Sequence, residues 1–318
     1  MNQLIHFYLK VTLAFVAFIT LSSFKIQFTE DNKEDLPYSC IEIPQSATFC
    51  DKEIDLTRFD RRERMDRELL AFRYMHSTSI QTIKRANRYF PIVEPILKQH
   101  HIPDDFKYLM AIESGANPIA RSGAGAAGLW QFMASTAKSY GLEVNAHVDE
   151  RYDVEKATVA ACKYLREAYE IFGNWESVAA SYNAGKARIS KLMKSQYEST
   201  SLNLYMVEET ARYVYRILAV KILFNDPAQF GFYLKSSDLY PQIPYKTVRT
   251  NQTIEDLAAF AKKHGITYSI LKTMNPWLRD TSLPCSGRKY YSIKIPTKKG
   301  LYYKPENTKA HIKTTVVK

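Results

Sequence analysis

From Asp60 onward, apolar residues return every three or four positions. Leu69, Leu70, Phe72, Ile80, Ile83, Ala86, Tyr89, Ile92, Ile96 and Leu97 follow this spacing as far as about His101, the pattern of helices with one buried face. Pro91 and Pro95 predict a break in that stretch, because proline lacks the N–H that a helix interior uses. Pro103-Asp104-Asp105 predicts a fresh helix start, with acids where free backbone N–H groups favour negative charge. That helix carries Phe106, Leu109, Met110 and Ile112 and stops at Ser114-Gly115. A Gly/Ala-rich stretch from Ser122 to Gly128 follows and ends on Leu129-Trp130-Gln131-Phe132-Met133. Ser135 to Tyr140 predicts a short helix closed by Gly141. Asp153 opens an amphipathic helix to about Phe172, closed by Gly173. A shorter one over 175–182 ends at Asn183-Ala184-Gly185. Another runs from Glu208 to Phe224 with Tyr213, Ile217, Val220 and Phe224 along one side. No alternating strand pattern occurs between 60 and 225, so this domain is expected to be all-helical, and too irregular for an up-down bundle.

The texture changes on either side. Residues 226–244, with Pro227, Pro241 and Pro244, predict a linker. In 245–296 a short β run (Tyr245 to Val248) precedes helices over Thr253–His264 and about Ser269–Met274, and a last β run covers Tyr290 to Pro296. That order is a small βααβ unit. The tail 297–318 is basic and lacks an apolar period, which predicts disorder. Residues 25–59 are mixed and polar, an expected lead-in arm. Before them, Lys10 precedes an apolar run from Val11 to Leu21. It fits a signal-peptide core and is short of the roughly 20 apolar residues a spanning helix needs. Residues 1–24 are therefore read as a signal peptide, with an uncleaved N-terminal anchor as the alternative. The chain is expected to be exported to the periplasm or cell envelope, cleaved free or membrane-anchored.

Composition alters this picture little. The 318 residues allow one substantial core plus a smaller module. A net charge of +11 favours an anionic partner; it is dispersed and accompanied by no nucleic-acid-binding motif, so nucleic acid is not expected. Tyrosines number 22, and tyrosine suits sugar rings because its face stacks while its hydroxyl hydrogen-bonds, although any single ring is better read as core. Of the four cysteines, Cys40 and Cys50 flank a Pro-containing segment that a disulfide could close, Cys162 reads as a buried thiol, and no spacing suggests a metal site.

Glu113 is the sharpest chemical candidate. It ends a helix among Leu109, Met110 and Ile112, just before a glycine-rich turn. Burial raises a carboxyl's pKa, which is what a neutral general acid requires. The plain alternative, a solvated residue at a helix end, is at least as good on pattern alone. Gly123, Gly125 and Gly128 would let backbone approach a bulky ligand closely, while Trp130, Gln131, Phe132 and Met133 would supply rings, an amide and soft apolar surface. The stretch lacks the spacing of a phosphate-binding loop. By themselves Ser181-Tyr182-Asn183-Ala184-Gly185 is a helix cap and Glu208 to Val214 an ordinary amphipathic turn.

Taken in order, these segments resemble the lysozyme-like catalytic domain of family 23 lytic transglycosylases. The four motifs are Glu113-Ser114 with Asn117-Pro118 beyond, Gly128-Leu129-Trp130-Gln131-Phe132-Met133, Ser181-Tyr182-Asn183-Ala184-Gly185, and Glu209-Thr210-Ala211-Arg212-Tyr213-Val214. The resemblance covers roughly 90–225, with the helices from 60 as an N-terminal extension. Trp130 stands where Met is usual, Ala134 where Pro is usual and Ser181 where Ala is usual, departures that touch subsite details. The unit 245–296 resembles a LysM module, with Asn251-Gln252-Thr253-Ile254 as a degenerate form of its opening motif. The expected fold class is therefore mainly α, a lysozyme-like all-helical catalytic domain followed by a small βααβ LysM-like module.

The resemblance implies peptidoglycan glycan strands as substrate, Glu113 as the catalytic residue, and Ser114, Ser122, Gly123, Gln131, Met133, Tyr182, Asn183 and Tyr213 as substrate-binding positions. It implies no metal and no organic cofactor. No second acid matches a motif role: Asp149, Glu150 and Asp153 read as a loop and a helix start. A lysozyme-type hydrolase normally uses two carboxylates, so a single-carboxylate route to a 1,6-anhydro product is expected. A goose-type lysozyme-like hydrolase and a non-catalytic wall-binding scaffold are the alternatives.

Overall fold

The residues expected to form a loose arm instead build an antiparallel hairpin, β1 (Ser46–Phe49) and β2 (Lys52–Asp55). Cys50 and Asp51 at its tip both have positive φ, 49° and 65°, the handedness that matches a two-residue turn to strand twist. Ile41, Phe49, Ile54 and Leu56 are buried in the main core, each contributing about 1.5–3 kcal/mol. The Cys50 N–H donates to Asp105 Oδ2 at 2.7 Å, tying the turn to the helical domain. Cys40 and Cys50 are not bridged; all four cysteines are free thiols. The computed structural model describes residues 40–287 and 289–317. The signal or anchor segment 1–24 and residues 25–39 of the expected arm lie outside the described residues.

Helix α1 (Phe59–Tyr74) and helix α2 (His76–Gln99) meet at Met75. The break expected near Pro91 and Pro95 is absent: α2 runs through both. An interior proline costs about 3 kcal/mol, and burial of Ile83, Ala86, Phe90, Val93 and Leu97 along one face offsets that. Helices α3 (Phe106–Ser114), α4 (Ala134–Ser139), α5 (Val154–Phe172), α6 (Trp175–Ala184) and α7 (Lys186–Gln196) follow. The stretch read as one helix from Glu208 is two, α8 (Glu208–Ala211) and α9 (Tyr213–Asn225), separated at Arg212. Nine residues of α9 are buried, so it is apolar around most of its circumference. It packs against α1, α3 and α6, which brings Tyr213 at its first turn to the end of α3.

The C-terminal unit has the βααβ order: β3 (Tyr245–Thr250), α10 (Leu257–Lys263), α11 (Tyr268–Met274) and β4 (Tyr291–Pro296), with β3 and β4 antiparallel. Its core of Leu257, Leu271, Leu278, Ile293 and Ile295 also takes in Ala127, Val148 and Tyr152 of the helical domain. The expected linker buries Phe230, Phe232, Leu234 and Leu239. The tail, expected to be disordered, forms α12 (Lys298–Leu301) and then returns to the helical domain. There Asn87 Oδ1 accepts from the His311 N–H at 2.7 Å, and Leu234 O accepts from the Val317 N–H at 2.9 Å. Ala310, Ile312 and Val316 cover the core beside these bonds. An irregular segment held by backbone bonds and three apolar contacts leaves no periodicity to detect. Among the described residues no helix is long and apolar enough to cross a membrane.

Candidate active site

Glu113 is the penultimate residue of α3. Gly115, at φ +60°, ends that helix by donating its N–H to Ala111 O at 2.8 Å. The preceding turn, Tyr108 to Ala111, is buried, so the Glu113 carboxyl leaves the core at its edge, half-buried. Tyr213 donates its hydroxyl to Glu113 Oε1 and is itself only 2% exposed. Burial disfavours the carboxylate and the nearby charge of Glu209 adds to this, while Tyr213 and the charge of Arg216 oppose both. Burial prevails, and the Glu113 carboxyl lies above the ordinary carboxylate range. The Tyr213 and Tyr182 hydroxyls are pushed well up, by burial first and by the charge of Glu113 next. Both therefore stay neutral donors.

The glycine-rich turn is locked at one point. Gly128 has φ +76°, and a Cβ there would stand 1.8 Å from Arg151 O, so only glycine fits. This close approach lets Gly128 N–H reach Ala120 O at 2.9 Å, and the Gln131 amide donates to Gly128 O at 2.8 Å and Ala120 O at 3.2 Å. Gln131 itself has φ +47°, a conformation that costs a non-glycine residue about 1–2 kcal/mol; those two bonds hold it. Gly123 and Gly125 have open space around them.

The other expected site residues divide. Tyr182, on α6, donates to Trp130 O at 2.7 Å, and its hydroxyl feels the charge of Glu113. Asn183 Oδ1 accepts from Thr210 Oγ1 at 2.8 Å, and its Nδ2 reaches Glu209 Oε1 at 3.5 Å, joining the third and fourth motifs. The Ser114 hydroxyl turns back to Met110 O at 3.1 Å. Ser122 and Gly123 lie in the exposed turn, where Ser122 Oγ accepts from the Ala126 N–H at 3.0 Å. Met133 is exposed at the start of α4. Trp130 and Phe132 do not supply ligand-facing rings: they are 0% and 4% exposed, and the Trp130 indole N–H donates to Thr158 Oγ1 at 3.0 Å.

Two groups of site-supporting residues have no signal in the local pattern. Arg151 pairs with Asp149 through two bonds, of 2.9 and 2.7 Å, and donates to Gly125 O at 2.8 Å and Phe132 O at 3.0 Å. It thus clamps both ends of the glycine-rich turn. Glu68, 1% exposed on α1, takes Arg216 at 3.0 Å and Arg212, fixing Arg216, whose charge bears on Glu113. Asp-x-Arg and widely separated Glu and Arg residues are too common in sequence to single these out. Asp149 holds Arg151, Glu150 takes Lys156 and Lys289, and Asp153 caps α5. Glu209 is the acid whose charge reaches Glu113. Among the described residues no group of three or more His, Cys, Asp or Glu side chains is placed to hold a metal ion.

Residues 91–204 match the transglycosylase SLT domain, and residues 246–299 match the soluble lytic transglycosylase C-terminal LysM-like domain. Membrane-bound lytic murein transglycosylase D of Escherichia coli K12 is 31% identical over 242 residues, which is 74% of this chain and 52% of that protein. The chain thus spans about half the length of the curated relatives it matches. Among solved structures, the 70 kDa soluble lytic transglycosylase of E. coli is 22% identical with a TM-score of 0.37, over 48% of this chain and 27% of its own. An inactive mutant of the lytic transglycosylase Slt from Pseudomonas aeruginosa is 21% identical with a TM-score of 0.34, over 50% and 30%. The chain therefore carries a transglycosylase SLT domain and a soluble lytic transglycosylase LysM-like domain, and is homologous to membrane-bound lytic murein transglycosylase D.

Proposed function

We propose that this chain is a peptidoglycan lytic transglycosylase that cuts the β-1,4 bond between N-acetylmuramic acid and N-acetylglucosamine and leaves 1,6-anhydro ends. The observation that carries the reading is Glu113, half-buried, raised in proton affinity and held by the Tyr213 hydroxyl within the matched transglycosylase domain. Glu113 starts protonated and gives its proton to the bridging oxygen as the bond to C1 breaks. Positive charge then develops on the muramyl sugar, and the new Glu113 carboxylate is stabilised by Tyr213 and by Arg216. As base it takes the proton of the muramyl O6 hydroxyl, which attacks C1 of the same ring. The nucleophile is already attached, so closure proceeds at high effective molarity. Gln131, Tyr182 and Asn183 serve to hold the sugars; Ser122 and Gly123 on the exposed turn and Met133 at the start of α4 extend that surface.

The substrate lies in the cell envelope, and the homologue's description as membrane-bound fits an exported, envelope-located protein. Mass analysis of a digest of purified peptidoglycan tests the chemistry. Products lighter by one water, with anhydro ends, are expected, and none from Glu113→Gln. One observation favours the hydrolytic rival: Glu209 is an exposed second carboxylate whose charge Glu113 feels. Reducing ends in the digest would establish that rival instead.

A further inference from the structure

A cavity of about 390 Å³ lies where the helical domain meets the C-terminal module. Arg88 and Tyr89 of α2, Asp153 at the start of α5, and Tyr245, Trp277 and Lys294 of the module line it. Pro118 is also in the wall, five residues beyond Glu113, so that wall is within about 18 Å of the Glu113 backbone. Asp153 Oδ1 accepts the Lys156 N–H at 3.0 Å, while its Oδ2 takes no hydrogen bond among the described residues. Burial raises its proton affinity in spite of Lys156 and Lys294, and the Lys294 ammonium is spent on both oxygens of Glu155, at 2.6 Å each. Arg88 donates Nε to Pro241 O at 2.8 Å and meets no carboxylate among the described residues. Among the described residues the cavity therefore offers a carboxyl with one oxygen unbonded, and a guanidinium that meets Pro241 O, the Tyr89 hydroxyl and the Tyr240 ring but no carboxylate, between aromatic walls. That is the complement of a short chain bearing both an ammonium and a carboxylate. A bare glycan has no ammonium; the peptide stem attached to the muramyl sugar has both.

We propose that this cavity receives the peptide stem of the peptidoglycan strand, its ammonium against Asp153 and its carboxylate against Arg88. The inference rests on the reading of Glu113 as the glycan-cutting acid, because that is what brings a stem to this wall. Two measurements test it on the full chain. In the first, the Glu113→Gln chain is titrated calorimetrically with a synthetic N-acetylated tetrapeptide of alanine, γ-linked glutamate, diaminopimelate and alanine, whose one ammonium is on diaminopimelate, as in the strand-attached stem. Binding is expected, and Asp153→Asn is expected to weaken it about tenfold, the loss of one charge-assisted contact. Asparagine still caps α5, so the fold is kept. Thr273→Trp, at an exposed position on the cavity wall, fills the mouth and is expected to abolish binding. In the second, digestion of stem-bearing strands is compared with strands stripped of stems by an amidase. The unaltered chain is expected to show the lower KM on stem-bearing strands, and each variant to bring the two substrates to the same KM. Absence of peptide binding, or equal KM values for the unaltered chain, overturns the proposal. Should Glu113→Gln leave digestion intact, the reading of the active site fails, and the peptide titration still decides the cavity.

Discussion

Replacing Tyr213 by Phe removes one hydroxyl and leaves a ring that fits the same buried space. That hydroxyl donates to Glu113 Oε1 and favours the carboxylate, against the burial that favours the acid. A hydrogen bond to a charged group is worth about 1.5–3 kcal/mol, and 1.4 kcal/mol is a factor of ten. Without it, Glu113 holds its proton roughly 10- to 100-fold more tightly. In the proposed mechanism the first step needs the protonated acid, so the alkaline limb of kcat/KM for anhydro-product release is expected to report this group. It is expected to move up by about one to two pH units in Tyr213→Phe. Plateau kcat should fall, because the carboxylate formed in the first step has lost its donor. A carbon NMR titration of the Glu113 carboxyl reads the same shift without turnover. Tyr182→Phe is the control: its hydroxyl goes to Trp130 O, so its limb should stay within a few tenths of a unit. A Tyr213→Phe limb that stays put or moves to lower pH would refute the reasoning.

Glu113→Gln should stabilise the chain at neutral pH. Above the ordinary value of 4.5 the folded chain binds more protons at this site than the unfolded one, so stability falls as pH rises from there through the folded pKa. Gln escapes that loss, and its Tm advantage should close below pH 4.5; a gap independent of pH contradicts the assignment. Gly128→Ala combines a left-handed φ with a clash against Arg151 O, about 1–2 and 1–3 kcal/mol respectively. Denaturant unfolding should show a loss of about 2–5 kcal/mol, against under about 1 kcal/mol for Gly123→Ala, whose surroundings are open. Arg151→Met leaves Asp149 buried and unpaired, a loss of about 3–5 kcal/mol; adding Asp149→Asn should return part of it, and no recovery would mean the pair is not coupled.

The parts legible in the sequence are those where one short segment carries its own reason. Gly115, Gly141 and Gly173 end helices that their apolar spacing begins, and each has positive φ in the structure. Asp153 announces α5 and caps it through the Lys156 N–H. The βααβ order of the last module follows from its two β runs and intervening helices. Pattern alone left Glu113 open, because whether a helix-end carboxyl is buried depends on α9 and α6, far along the chain. The hairpin escaped notice because four-residue strands of mixed polarity look like loop, and only their packing on Phe106 and its neighbours makes them a layer. Trp130 differs from its sequence expectation for a similar reason. A ring in a motif looks like ligand surface until Thr158, on another helix, is seen to satisfy its indole N–H.

The core shared across the domain junction bears on how such a chain can be recombined. Asp149 N–H donates to Trp277 O at 2.9 Å and Arg279 N–H to His147 O at 2.8 Å, while Ala127, one residue before the locked Gly128, lies under the module. Lys289 adds ion pairs to Glu143 and Glu150. A module on a slack tether acts by raising local concentration and can be exchanged like a cassette. This one cannot. Transplanting a different module onto residue 245 would strip cover from Ala127, Val148 and Tyr152, and a truncation at that point would unseat the backbone beside the glycine-rich turn.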